Sequence, residues 1–148
     1  MTMPTDRYEI TTDIARMDVQ AIHVFLSQTY WSPGIPFSLV QRAVANSLCF
    51  GVLLGTEQIG FARVVTDKAT FAYLADVYVL EAHRGQGLSR RIIEHVIAHP
   101  ELQGLRRMLL ATRDAHGLYA QYGFKPLAAP ERMMEVHRPH AYASNGVG

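Results

Sequence analysis

A chain of 148 residues with 49% hydrophobic content is the length of one domain with a sizeable core, and a formal net charge of +1 leaves no global field for binding a polyanion. The single cysteine, Cys49, lies in an apolar run, which excludes a disulfide framework or thiolate metal cluster and reads as a buried thiol. No apolar stretch approaches the roughly 20 residues of a membrane span, and the first 16 residues are polar and acid-bearing, unlike a secretory signal, so a reducing cytoplasm is expected.

Residues 8–12 form a short β-like run after Pro4, an edge strand with a loose N-terminus before it. Over residues 17–28 the apolar positions Met17, Ala21, Ile22, Val24, Phe25 and Leu26 fit a helix with Asp18 in its first turn, and Tyr30-Trp31-Ser32-Pro33-Gly34 ends it. A second helix over 37–45 carries Leu39, Val40, Ala43 and Val44, with Pro36 suited to its entry. Residues 48–54, 58–65 and 71–79 then read as an antiparallel meander joined by the short turns Gly55-Thr56-Glu57 and Thr66-Asp67-Lys68.

From Leu88 to Ala98 the period changes: Leu88, Ile92 and Val96 recur at intervals of four, beside Ile93 and Ile97, while Arg90, Arg91, Glu94 and His95 take the opposite side. Pro100 and Gly104 break that helix, and residues 107–112 return to a strand. It runs parallel to residues 71–79, because a helix crosses over between them. Residues 115–121 form a short helix ended by Gly123, and 124–127 with 133–137 supply a last pair of strands. Residues 1–138 are expected to form one domain of α+β class with a mixed, mostly antiparallel sheet, followed by a disordered tail over 139–148.

The corner His83-Arg84-Gly85-Gln86-Gly87-Leu88-Ser89 sits at a helix start, where backbone N–H groups lack partners and the helix dipole is positive. Two glycines allow a tight turn and close approach of a ligand, and Arg84, Arg90 and Arg91 add charge, so the corner suits an anion such as a diphosphate. It is no P-loop, since Gly-Lys-Ser/Thr occurs nowhere in the chain. A dinucleotide fingerprint fits poorly, because position 90 is Arg90 rather than Gly and no acid lies among residues 105–110.

The segment Arg84-Gly85-Gln86-Gly87-Leu88-Ser89 resembles the pyrophosphate loop of the GNAT acetyltransferase superfamily, Gln/Arg-x-x-Gly-x-Gly/Ala, with Ser89 at the last position. Downstream, Tyr119-Ala120-Gln121-Tyr122-Gly123-Phe124 is similar to the family's Tyr-x-x-x-Gly-Phe element, in the family's order and separation. The resemblance implies a GNAT-like sheet with helices on both faces, whose parallel strands 71–79 and 107–112 splay apart. Between them the family holds the pantetheine arm of acetyl-CoA on strand-end backbone groups, here around Val77 and Val79. The diphosphate falls to the residues Arg84, Gly85, Gln86, Gly87, Leu88, Ser89 and Arg90, and Asp114 stands where relatives carry Asn against the pantetheine.

What the resemblance implies chemically is direct attack of a primary amine on the thioester of acetyl-CoA, with no metal and no covalent intermediate. An amine of pKa near ~10.4 must lose a proton, the carbonyl must be polarised and the departing thiolate neutralised. Tyr119 is the expected general acid by family register, although Tyr122 has equal standing by spacing. Asp76, the one acid in strand 71–79, is the expected influence on a water-relayed deprotonation, with a structural role as its alternative. Tyr30 and Trp31 sit where the family admits its acceptor, whose amine an aromatic face would suit, and core packing is their alternative. The resemblance also allows a homodimer. Two other functions compete: an acyl-CoA sensor without turnover, and a nucleic-acid binder using Arg90, Arg91, Arg106 and Arg107, which the near-neutral charge disfavours.

Overall fold

The computed structural model describes residues 7–142. Five strands make one sheet in sequential order: β1 (Tyr8–Thr11), β2 (Leu48–Leu54), β3 (Glu57–Thr66), β4 (Phe71–Val79) and β5 (Arg107–Leu110). The first three pairings are antiparallel and β4–β5 is parallel. Four helices complete the fold, α1 (Val19–Leu26), α2 (Phe37–Ala45), α3 (Leu88–Ala98) and α4 (His116–Ala120). The parallel pairing follows from α3 crossing between β4 and β5, as the helical period over residues 88–98 requires.

Side-chain alternation sorts the strands into two cores. Phe50, Val52, Ala62, Val64, Ala72 and Leu74 point to one face and pack against Leu88, Ile92 and Val96 of α3. Cys49, Phe61 and Tyr78 point to the other and meet Ile22 and Leu26 of α1 with Val40 and Val44 of α2. Helix α1 is capped by Asp18, whose Oδ1 accepts from the Ala21 N–H at 3.0 Å. The β3–β4 turn is held by Asp67, whose Oδ1 accepts from the N–H groups of Ala69, Thr70 and Phe71, and those bonds with the Thr70 hydroxyl hold its carboxyl well below the usual carboxylate range.

One irregularity in β4 decides which face its side chains take. Phe61 pairs with Tyr78, but Arg63 pairs with Ala75, so Asp76 and Val77 together oppose Ala62 in a β-bulge. Asp76 adopts φ +57°, a left-handed conformation that Asp and Asn tolerate better than other side chains. The extra residue changes the parity of the strand. Ala72 and Leu74 belong to the α3 core before the bulge, and Val77 and Val79 belong to it after. Asp76 is thereby turned to the α1–α2 face, where its Oδ2 accepts from Arg63 Nε and its Oδ1 from Trp31 Nε1, both at 2.8 Å.

One expectation for the C-terminal region differs from the structure. Residues 124–127 and 133–137 form no strands, because the chain after Gly123 runs alongside β5 without pairing to it and contains only a short 3-10 turn, Pro130–Arg132. Residues 139–142 turn back toward the α1–α2 connection, where the Tyr142 carbonyl lies 3.5 Å from the position a Cβ would take at Gly34. The reading made for the chain around Pro4, and that for the tail beyond residue 142, fall outside the described residues.

The bulge makes a testable demand on residue 76. Asp76→Asn keeps left-handed tolerance and one acceptor while removing the charge that faces Arg63, whereas Asp76→Ala loses all three. Asp76→Ala should therefore be the less stable in denaturant unfolding by about 1–2 kcal/mol from backbone conformation alone, and equal stabilities would contradict the strain argument.

Candidate active site

The parallel register between β4 and β5 runs only from Phe71↔Arg107 to Leu74↔Leu110. Beyond Leu110 the chain leaves the sheet while β4 continues to Val79, so the edge of β4 over residues 75–79 has no strand beside it. Backbone N–H and C=O groups on such an edge can accept an extended amide-bearing ligand. A cavity of about 680 Å³ opens at this fork, lined by Ala75, Asp76 and Val77 on one side and by Ala111, Thr112, Arg113, Asp114 and Tyr119 on the other.

At the far end of the unpaired edge lies the start of α3. Gly85 and Gly87 have φ +82° and +77°, and nothing lies within 4 Å of where their Cβ atoms would be, so the loop backbone faces open space. The first backbone bond into the helix runs from Arg91 N–H to the Gly87 carbonyl at 3.2 Å. The N–H groups of Leu88, Ser89 and Arg90 precede it and have no backbone acceptor among the described residues. Arg84 Nε donates to the Val79 carbonyl at 2.8 Å, which pins its guanidinium over the strand end. Val79, Arg84, Gly85, Gly87, Leu88, Ser89 and Arg90 surround a recess of about 180 Å³. The unpaired amides and the adjacent cations fit a diphosphate.

The recess and the fork cavity are joined by a third depression. It shares Val79, Arg84 and Ser89 with the first and Tyr30, Trp31 and Val77 with the second. One continuous groove therefore runs from the α3 N-terminus along β4 to Tyr119. A CoA thioester, with an anionic diphosphate, an amide-bearing arm and a reactive acyl end, matches that sequence of environments.

The expected site residues fall into this groove with different standing. Tyr119, on α4, lines the fork cavity and packs edge-on to Phe124 at 5.8 Å, and burial raises its phenol above its ordinary pKa, with Tyr30 adding to the effect. Tyr122 instead donates to Glu94 Oε2 at 2.9 Å, on the α3 side, and does not line the fork cavity. The side chain of Gln86 turns away from the recess and donates to the Tyr8 hydroxyl at 3.2 Å, while that hydroxyl lies 2.9 Å from His83 Nδ1. Arg90 donates from Nη1 to Gln121 Oε1, tying the loop to the end of α4. Asp114 is exposed at the rim.

Several residues at the site escaped the sequence reading. Arg113 covers one face of Tyr30, with Cζ 3.9 Å from the ring centroid, so a bound amine has only the remaining aromatic surface. Arg63 supplies the partner of Asp76, a pairing available from the hairpin register once the bulge is known. Tyr8 braces the loop from the opposite end of the sheet order, and Tyr142 lines the fork cavity. Nothing local in the sequence signals either. Among the described residues no group of three or more His, Cys, Asp or Glu side chains converges on a possible metal position, and no helix is long and apolar enough to cross a membrane.

Comparison with known proteins agrees with this geometry. The Acetyltransferase (GNAT) family matches residues 14–124. A crystal structure from Xanthomonas campestris pv. campestris, described as belonging to the GNAT family, shares 52% identity over 96% of this chain and 99% of that one, with a TM-score of 0.92. A Gibberella zeae protein that carries a provisional acetyltransferase name is 34% identical over 77% of this chain and 76% of its own length. A Clostridium acetobutylicum protein crystallised with acetyl-CoA covers 88% of this chain and 94% of its own at 14% identity and a TM-score of 0.64, a likeness of fold alone. The forked parallel strands, the Gly-rich helix start and the match across residues 14–124 together make this chain a member of the GNAT acetyltransferase family.

Proposed function

We propose that the chain transfers the acetyl group of acetyl-CoA to a primary amine by direct attack. The observation that carries this reading is the unpaired edge of β4, which leads without interruption from the anion-binding start of α3 to the Tyr119 hydroxyl. In it Arg84, the backbone of Gly85 to Ser89 and Arg90 hold the diphosphate, and the edge around Val77 and Val79 holds the pantetheine, with Asp114 at its rim. Tyr30 and Trp31 wall the acceptor side. The Clostridium neighbour's acetyl-CoA supports the choice of cosubstrate.

Holding the two reactants together supplies much of the rate. The amine loses a proton to water, and its nitrogen forms a bond to the thioester carbon, whose oxygen is polarised by a backbone N–H on the exposed edge of β4. As the intermediate collapses its nitrogen gives up a second proton to water, the C–S bond breaks, the sulfur takes up a proton donated by Tyr119, and the phenol is reprotonated from solvent. Asp76 assists indirectly. Both of its oxygens already accept hydrogen bonds, so it sets the position of Trp31 and the field felt by the ammonium rather than receiving the proton itself. Direct attack is favoured over a cysteinyl intermediate because the one thiol, Cys49, is buried behind the α2 end of the sheet and its pKa is pushed up to about 12 by desolvation.

Three outcomes follow. Tyr119→Phe should lower kcat by about 10²-fold or more while leaving acetyl-CoA affinity within about twofold, and an unchanged kcat would remove Tyr119 from the reaction. Because burial raises the Tyr119 pKa, the acid form persists as pH rises, so kcat should climb with amine deprotonation and show no loss below about pH 10. Gly87→Val, at φ +77°, should weaken acetyl-CoA binding at least about tenfold in calorimetry, since a Cβ there disturbs both the loop conformation and the approach of the diphosphate. A broad amine panel assayed for CoA thiol release tests the activity itself. Binding of acetyl-CoA with no thiol released from any amine would favour the sensor.

A further inference from the structure

The walls of the fork cavity carry four charged side chains, Arg63, Asp76, Arg113 and Asp114. Two of these neutralise each other, since Asp76 Oδ2 accepts from Arg63 Nε at 2.8 Å and its Oδ1 accepts from Trp31 Nε1 at 2.8 Å. Arg113 has no such partner. Among the described residues it forms no ion pair, and none of its guanidinium N–H groups meets an acceptor. Asp114, its neighbour in sequence, is exposed at the rim and pairs with neither arginine.

What fixes Arg113 is an aromatic face. Its Cζ stands 3.9 Å from the centroid of the Tyr30 ring, Tyr30 packs edge-on against Trp31 at 5.1 Å, and Trp31 is held by Asp76. A guanidinium lying over a ring keeps the N–H donors of its edge available, arranged as a fork that two oxygens of one anion can fill. The cation is therefore placed, its donors are unused, and it shares the cavity with Tyr119. An ammonium ion entering that cavity alone meets an unneutralised like charge. One that brings its own anion completes the fork instead.

We infer that Arg113 sets the class of acceptor: the amine belongs to a molecule that also carries a carboxylate or a phosphate, and the edge of Arg113 binds that anion while the amine faces the thioester. Within the amine acylation proposed above, on which this assignment rests, the anion is the part of the acceptor that does not react. Binding energy from such a remote group holds the amine in line for attack. Carboxylate and phosphate share the feature recognised, paired oxygens bearing negative charge. A lysine at the same place would supply charge without the fork. Arg113 is thus a binding residue for the acceptor and takes no part in the proton transfers.

CoA thiol release from paired amines tests this: β-alanine, γ-aminobutyrate and ε-aminocaproate against propylamine, butylamine and hexylamine, and phosphoethanolamine against ethanolamine. In the wild type the best anionic acceptor should exceed its partner without the anion at least about tenfold in kcat/KM, and the pair that shows the gap tells carboxylate from phosphate. Arg113→Ala should cut that ratio at least about tenfold, and Arg113→Lys should restore part of it. Both members of a pair are assayed on one preparation, so loss of folded protein leaves the ratio unmoved. Equal kcat/KM within every pair, or a ratio that survives Arg113→Ala, would overturn the inference and leave the acylation standing. If no amine releases thiol the acylation falls, and the fluorescence of Trp31, the single tryptophan, then decides the anion site with CoA present. Saturable quenching by γ-aminobutyrate or phosphoethanolamine, absent with butylamine and ethanolamine and lost in Arg113→Ala, supports it, whereas identical curves within each pair overturn it.

Discussion

Everything functional in this molecule depends on β4 parting from β5 after Leu74. A parallel pair held along its full length would offer no backbone to a ligand, and the crossover through α3 would end in a closed sheet. Because pairing stops at Leu74↔Leu110 while β4 runs five residues further, the sheet opens at the point where α3 starts. The bulge at Asp76 and Val77 falls within this exposed stretch and sets which side chains meet the groove. It gives the α3 core Val77 and Val79 and turns Asp76 to the α1–α2 face, with Arg63 and Trp31 fixed around the carboxylate.

The energetic logic is a division of labour between the two faces. The α3 face is an apolar core in which Ile92 and Val96 are fully buried, and it fixes the direction in which the helix N-terminus points. The α1–α2 face carries the polar contacts near the groove. There the aromatic pair Phe25 and Tyr78 stacks at 3.8 Å, and Thr29 and Ser32 close the α1 end with bonds to the Leu26 carbonyl. That connection holds Tyr30 and Trp31 in the lining of the fork cavity, on a loop fixed by a rigid scaffold.

Much of this was legible in the residues. Periodicity located α2 and β4 and placed α3 from Leu88 to Ala98, because each is long and strongly patterned. The glycine-rich helix start was legible because its pattern is local, two glycines and three arginines beside a change of period. The bulge was not, since a bulge is a disagreement between two strands and a single strand does not display it. Simple alternation puts Asp76 on the α3 face with Ala72 and Leu74, and only the bulge turns it to the other. Tyr8, Arg113 and Tyr142 come to the site from distant points of the chain, through contacts that only the tertiary structure creates. The two C-terminal strands were mistaken for the opposite reason. Residues 133–137 have the local pattern of a strand, but a strand needs a partner, and none of the described residues pairs with them.

The claim on which the functional account rests is that an acyl-CoA arm lies against the open edge of β4. Amide hydrogen exchange with and without acetyl-CoA reads that edge directly. Slowed exchange over residues 75–79 together with residues 85–90, and little change in β1 and β2, is the predicted result. Exchange over residues 75–79 that is indifferent to saturating acetyl-CoA would contradict it.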